Sequence, residues 1–276
     1  MKNLKIVCNI IQEWLIKQLD ISGQKGFVVG VSGGIDSAVV SALCARTGKP
    51  TICLTMPITG EYDILKDNAE KQFEYLRKYK NVSKIFYPLK SAFNEIKFSP
   101  IVKNFNKLAL ANAQSRLRMV ALYLFSNTFN YLVVGTGNRV EDFGVGFFTK
   151  YGDGGVDISP IGDLNKSEVR AVAKFLKIPM AIQKATPTDG LWEDGRTDEQ
   201  QIGNTYKELE WAMKWCDNFF GYGNEYESFY KEYIFYENVR EIRSLTKKQK
   251  CILKNYLKRH DQNKHKFCMP PICKIK

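Results

Sequence analysis

Residues 30–37 read Gly-Val-Ser-Gly-Gly-Ile-Asp-Ser, directly after the apolar run Phe27-Val28-Val29. A glycine turn that opens a helix aims several backbone N–H groups at one point, and that point favours an anion. Ser32 and Ser37 add hydroxyl donors. Asp36 places a carboxylate where a phosphate would sit, which repels unless a divalent cation bridges the two. The octet lacks the Gly-Lys-[Ser/Thr] ending of the ordinary nucleotide P-loop. A plain strand–helix turn needs one or two glycines, but not two serines and an aspartate at these positions.

A second concentration of polar and charged residues begins at Gly135-Thr136-Gly137-Asn138-Arg139-Val140-Glu141-Asp142. It continues as Gly146-Phe147-Phe148-Thr149-Lys150-Tyr151-Gly152-Asp153-Gly154-Gly155-Val156-Asp157. Asp163-Leu164-Asn165-Lys166, Pro187-Thr188-Asp189 and Asp198-Glu199 follow, with Gly203 beyond. Lys166 opens a predicted helix, where a lysine gains nothing from the helix dipole. That position suits a functional cation better than a structural one.

The elements that must position these residues follow from periodicity. Helical spacing runs over Leu4–Leu19, Ile35–Ala45, Asp63–Tyr79, Ala109–Phe125, Lys166–Leu176 and about Asp198–Phe219. Strands are predicted at Phe27–Val31, Thr51–Met56, Val82–Tyr87 and Tyr131–Gly135. Strands alternating with helices imply an α/β fold, a doubly wound, mostly parallel sheet flanked by helices, with a helical C-terminal part. Ligands of such sheets sit beyond the carboxyl ends of the strands, and both glycine turns belong to that edge. Arg139–Asp163 is aperiodic, but its aromatics argue against disorder.

The octet resembles the Ser-Gly-Gly-x-Asp-Ser loop of the ATP pyrophosphatases, which cut ATP between its α- and β-phosphates. The order and spacing of all the motifs, from the octet to Asn263-Lys264-His265-Lys266, resemble the ammonia-dependent NAD synthetase family. The resemblance implies an adenine nucleotide α-hydrolase-like fold and a single synthetase domain over 1–276 without a glutaminase domain. It implies a ligase that activates the nicotinate carboxylate of deamido-NAD with ATP as co-substrate. An acyl-adenylate forms, pyrophosphate leaves, and ammonia attacks to give NAD.

Carried over residue by residue, the resemblance assigns ATP binding to Gly30, Val31, Ser32, Gly33, Gly34, Ile35, Asp36, Ser37, Thr136, Lys166 and Thr188. It assigns deamido-NAD binding to Asn112, Arg116, Lys150, Asp153, Asp157, His265 and Lys266, with Phe147 suited to stack the pyridine ring. Asp36 and Glu141 are the implied magnesium ligands, and Asp36, Lys166 and Asp153 the implied catalytic groups. The stretch from Glu141 to Lys150 is one residue longer than in familiar members, which leaves Asp142 as the alternative to Glu141. Phe267 replaces an arginine usual after His-Lys, Gln201 replaces a glutamate, and Thr55-Met56-Pro57 lacks an arginine. The family also implies a homodimer, while a cytoplasmic site of action is expected from the cysteine usage.

Composition bounds the alternatives. The net charge is +12, and eleven Lys/Arg against two acidic residues lie from Glu241 onward, leaving +3 for the first 240 residues. Such a field could serve an RNA-modifying ATP pyrophosphatase, the competing reading. Aromatics are not interleaved through it in a base-stacking pattern, so no nucleic-acid partner is expected. Seven scattered cysteines without a Cys-x-x-Cys pair indicate neither disulfides nor zinc and suit a reducing compartment. No run of about 18 apolar residues exists, so no membrane partner is expected. The N-terminus lacks the apolar core of a signal peptide. The segment after Asn263 is expected to contribute little to the core and to be mobile before substrate binds.

Overall fold

The computed structural model describes residues 3–58, 63–98, 105–192, 195–221 and 240–275. Among them, β1 (Gly26–Gly30), β2 (Thr51–Thr55), β3 (Val82–Phe86) and β4 (Tyr131–Val134) form a parallel sheet in the order β3-β2-β1-β4. Val28 pairs with Ile52 on one side and Val133 on the other. A parallel bridge from Val134 to Ile158 extends the edge beyond β4. The strand order reverses direction between β1 and β4, so a crevice opens at their carboxyl ends.

Successive strand residues feed opposite faces. Phe27, Val29, Cys53, Leu132 and Val134 pack with α1 (Leu4–Ser22), α2 (Ile35–Arg46) and α6 (Lys166–Phe175). Val28, Ile52 and Leu54 pack on the other side with Phe93 of α4 (Lys90–Lys97) and Ala121 of α5 (Lys107–Phe129). Ser37 to Ala45 of α2 are all buried. The helix carrying the octet's last residues is therefore locked by packing, and truncating Leu43 to alanine would cost about 2–5 kcal/mol. α3 (Asp63–Leu76) and α7 (Met180–Lys184) complete that layer.

A third apolar cluster lies outside the sheet. It joins α8 (Asp198–Ile202), α9 (Tyr206–Phe220), the short α10 (Arg240–Arg243) and α11 (Lys247–Asn263) through Ile202, Leu209, Met213, Ile242, Leu253 and Tyr256. Val140 and Val145 of the 139–145 segment pack into the same cluster.

Several predicted boundaries change. The aperiodic stretch after Asn138 opens with a π-helix over Arg139–Val145. The single helix predicted over Asp198–Phe219 is two: Gly203 turns left-handed at φ 82° and Thr205 caps a new start with Glu208. The α5 helix outruns its prediction at both ends because Asn106 caps its start and Asn130, at φ 58°, its end. The helix α11 hides in a lysine-rich stretch, where charge masks the stripe of Ile252, Leu253, Tyr256 and Leu257.

Candidate active site

The octet forms the turn between β1 and α2. Gly33 sits at φ +85°, and a Cβ there would lie 2.1 Å from the Leu65 carbonyl oxygen, so no other residue fits. The serines close the turn on itself. Ser37 Oγ donates to the Gly34 carbonyl at 3.0 Å and accepts from Ser32 N–H at 3.2 Å, while Gly34 N–H donates to Ser32 Oγ at 3.3 Å. Their first task is thus to shape the loop. The backbone N–H groups of the first turn of α2 keep no intrahelical acceptor and remain available to an anion.

Asn138 ties this loop to the one after β4. It is fully buried, its Oδ1 accepts from the N–H groups of Val140 and Glu141, and its Nδ2 donates to Asp36 Oδ1 at 3.1 Å. Sequence reasoning does not nominate Asn138, although its place in a Gly-Thr-Gly-Asn turn before a helix start marks it as a cap.

Lys166 is 2% exposed at the first position of α6. Its ammonium donates to Asp36 Oδ2 at 2.6 Å and to Glu141 Oε1 at 2.8 Å. Burial works against that charge, but the two carboxylates outweigh it and hold the lysine pKa above its ordinary range. The Tyr206 hydroxyl donates to the same Glu141 oxygen, lies 3.1 Å from Asp198 Oδ2, and its ring centroid is 5.0 Å from the ammonium. Burial raises the Glu141 pKa, with Lys166 opposing. Burial, then Glu141, pushes Asp198 up to about 7. A protonated Asp198 can donate to the Tyr206 oxygen, which keeps the single hydroxyl hydrogen of Tyr206 in its bond to Glu141 Oε1.

Glu141 and Asp142 both lie in the π-helix over Arg139–Val145. One turn of π-helix holds an additional residue without shifting the flanks, which accommodates the longer spacing. Glu141 then faces Lys166, whereas the Asp142 carboxylate lies over Gly137, where a Cβ would collide with it. Burial, then Asp153 and Glu141, raises the Asp142 pKa well above the usual carboxylate range. Among the described residues no three His, Cys, Asp or Glu side chains converge as a preformed metal site. The donor set nonetheless fits magnesium: two hard carboxylates converge on one buried cation, and magnesium is commonly held by one or two carboxylates with phosphate oxygens.

The predicted dinucleotide residues gather beside this centre, each with a partner in the chain. Asp153 Oδ1 accepts from Ser115 Oγ at 2.6 Å and from Thr149 N–H at 2.9 Å, and Thr149 Oγ1 donates to Asn112 Oδ1 at 2.7 Å. Arg116 Nε donates to the Lys150 carbonyl at 3.3 Å. One face of α5 thus staples the 149–153 loop. Burial raises the Asp153 pKa, against its hydrogen bonds from Ser115 and Thr149. Asp157 accepts from Tyr123 Oη at 2.8 Å and from Val133 N–H at 2.7 Å, which anchors the loop to β4. Phe147 is half-buried against the C-terminal cluster. Thr136 is half-buried at the end of β4. Thr188 Oγ1 donates to the Arg196 carbonyl and accepts from Gly190 N–H, folding its own loop.

The tail is docked at Lys266 and Phe267, where little packing is expected, whereas residues 268–275 are exposed. Lys266 Nζ donates to the carbonyls of Gly146 and Phe148, both at 2.8 Å. Lys150 Nζ donates in return to the carbonyls of His265 and Cys268. Phe267 packs against the rings of His260 and Phe148, which is where its apolar side chain goes in place of an arginine. His265 is exposed. Carbonyls satisfy the lysine donors without cancelling their charge, so both cations still favour phosphate.

Sequence reasoning also passes over Arg118. It lies two positions from Arg116 and so on another face of α5, where its Nε donates to the Met56 carbonyl at 3.2 Å. It therefore supplies a guanidinium at the end of β2, the very strand end that lacks an arginine of its own. Burial lowers its pKa to about 10, with Asp153 and Asp189 opposing.

A parallel sheet with a glycine octet at its carboxyl edge, whose Asp36 is joined through Lys166 to Glu141, defines a nucleotide-binding α/β protein of the ATP pyrophosphatase class. Within that class the chain belongs to the NAD synthase family, whose model matches residues 7–257. The NH(3)-dependent NAD(+) synthetase of Sulfolobus acidocaldarius is 38% identical over 212 residues, covering 73% of this chain and 72% of that protein. The enzyme of the same name from Alkaliphilus metalliredigens is 40% identical over 202 residues, covering 71% and 81%. Among solved structures, the NMN synthetase from Francisella tularensis matches with a TM-score of 0.80 at 29% identity, covering 99% of both chains. The NH3-dependent NAD synthetase from Campylobacter jejuni matches with a TM-score of 0.72 at 25% identity, covering 99% of this chain and 100% of that one.

Proposed function

We propose that this chain makes NAD by amidating the nicotinate carboxylate of deamido-NAD with ammonia, using ATP and releasing AMP and pyrophosphate. Family membership supports the reaction, and one observation carries the site: the buried Lys166 ammonium between Asp36 and Glu141, facing the octet turn. A carboxylate must attack the α-phosphorus of a polyanion, so charge neutralisation and alignment dominate the barrier. The octet N–H groups receive the leaving pyrophosphate, with Thr136 and Thr188 flanking the nucleotide. Lys166 offsets charge on the phosphates. Asp36 and Glu141 would hold magnesium, which when bound neutralises phosphate charge. Asn112, Arg116, Lys150, Asp153, Asp157, His265 and Lys266 bind the deamido-dinucleotide, and Asp153 orients the reacting end.

The chain acts as one synthetase domain on ammonia itself, and as a homodimer in the cytoplasm. Exposed Leu108, Val120 and Leu124 along α5 supply an apolar surface for the dimer contact. Among the described residues no helix is long and apolar enough to cross a membrane, and all seven cysteines are free thiols. The RNA-modifying alternative is not favoured by the relatives. The test is formation of NAD, AMP and pyrophosphate from deamido-NAD, ATP, magnesium and ammonium by the purified protein.

A second reading concerns the acceptor. The NMN synthetase likeness spans both chains almost completely, and Phe267 removes a cation that a second phosphate could use. The same chemistry on nicotinate mononucleotide would give NMN. Comparing kcat/KM for deamido-NAD and nicotinate mononucleotide decides between them.

A further inference from the structure

We propose that Tyr206 is a positioning residue for the metal-binding carboxylate Glu141, held in place by the Asp198-Glu199 pair. This rests on the reading of Glu141 as a magnesium ligand. Sequence reasoning singles out Asp198-Glu199 and Gly203 but assigns them no task. The fold supplies one. Gly203, at φ +82°, ends α8 and lets the chain turn back into α9. That turn brings Tyr206 over Asp198 and Glu199. Glu199 Oε1 accepts from the Tyr206 backbone N–H at 2.9 Å, and Asp198 Oδ2 lies 3.1 Å from its hydroxyl. Tyr206 is buried in the C-terminal cluster, so its ring cannot swing away.

Its hydroxyl and the Lys166 ammonium both donate to Glu141 Oε1. Two donors on one oxygen fix the carboxylate rotamer and leave the second oxygen to face a cation. Outer-shell hydrogen bonds of this kind typically change metal affinity by about 10–100-fold. The chain of contacts extends to the ATP side. Arg259 Nη2 donates to the Gln201 carbonyl, and Gln201 Nε2 donates to Asp189 Oδ2 next to Thr188. The substitution of glutamine for glutamate at 201 suits that donor role, because a carboxylate could not donate to Asp189.

The experiment is Mn2+ binding by electron paramagnetic resonance in the presence of ATP, on wild type, Tyr206→Phe, Asp198→Ala and Glu141→Gln. Phenylalanine keeps the ring and removes only the hydroxyl. Tyr206→Phe is expected to raise the Mn2+ Kd about 10-fold and the magnesium needed for half-maximal rate in parallel, with KM for deamido-NAD unchanged. Wild-type Mn2+ affinity in a folded Tyr206→Phe, while Glu141→Gln loses it, overturns the inference. If Tyr206→Phe does not fold, Asp198→Ala takes its place: a weaker Mn2+ complex supports the inference and an unchanged one overturns it. Unchanged Mn2+ affinity in Glu141→Gln removes the metal assignment itself, and this inference with it.

Discussion

Asp36 and Lys166, 130 positions apart in the chain, meet at 2.6 Å beneath the octet turn. The contact joins the first βα turn to the start of α6, and Glu141 closes it from the other side. A buried ammonium that satisfies two carboxylates is strongly coupled to them: removing it leaves uncompensated charge, at a cost of about 3–5 kcal/mol.

Lys166→Met should therefore lose activity by about 10²-fold or more and melt well below wild type without magnesium. Magnesium should recover more of the melting temperature in the variant than in wild type, because it replaces the missing charge. Thermal melts with and without magnesium check this, and equal magnesium shifts in both proteins would contradict it.

Asp36→Asn, nearly isosteric, should keep the fold and lower turnover by about 10²-fold or more at saturating magnesium. Glu141→Gln should behave alike, and Asp142→Asn should fall less, since its carboxylate lies over Gly137. Near-wild-type turnover of Asp36→Asn would remove it from the metal site.

Asp198 gives a pH signature. Its folded pKa, about 7, lies above that of an unfolded aspartate, about 4. The folded state therefore binds the extra proton. The stabilisation is fully present below about pH 4 and is lost as pH rises toward 7, by up to about 1.4 kcal/mol per pH unit. Asp198→Asn, whose amide can donate to Tyr206 as the protonated acid does, should flatten that slope and melt higher than wild type at pH 8. Urea midpoints across pH 4–8 measure it, and an unchanged slope would remove Asp198 as its source.

On the proposed reading of a synthetase that acts on ammonia itself, ammonium should support catalysis and free glutamine should not. The rate at fixed total ammonium should rise with pH as the NH3 fraction grows, since only NH3 carries the attacking lone pair. Comparable rates with glutamine would overturn the single-domain reading.

Lys266→Met should lower kcat/KM for deamido-NAD while shifting the melting temperature by only a few degrees, since two carbonyl hydrogen bonds are worth about 1–3 kcal/mol. Removing residues from Asn263 onward should cost more stability, because Phe267 packs on Phe148 and His260. Calorimetry and steady-state kinetics on both variants separate the two effects. Unaltered kcat/KM in both would make the tail a structural clasp alone.

The sequence by itself determined the parts and their side of the sheet. Local rules sufficed for the octet: glycine conformations, a strand feeding a helix, and period-2 and period-3.6 patterns are properties of neighbouring residues. They place both glycine turns at the carboxyl edge, and the motifs carry the family resemblance. Only the tertiary structure decided which groups meet. The bond from Asn138 to Asp36, the burial of Lys166 between Asp36 and Glu141, and the seat of Tyr206 on Asp198 join segments whose separation along the chain carries no signal. Packing also gives the 139–145 segment its π-helical form, with Val140 and Val145 both entering the C-terminal cluster. The tail's docking was hidden for the same reason. A lysine-rich stretch reads as solvated until the carbonyls of a distant loop and the rings of Phe148 and His260 are found beside it.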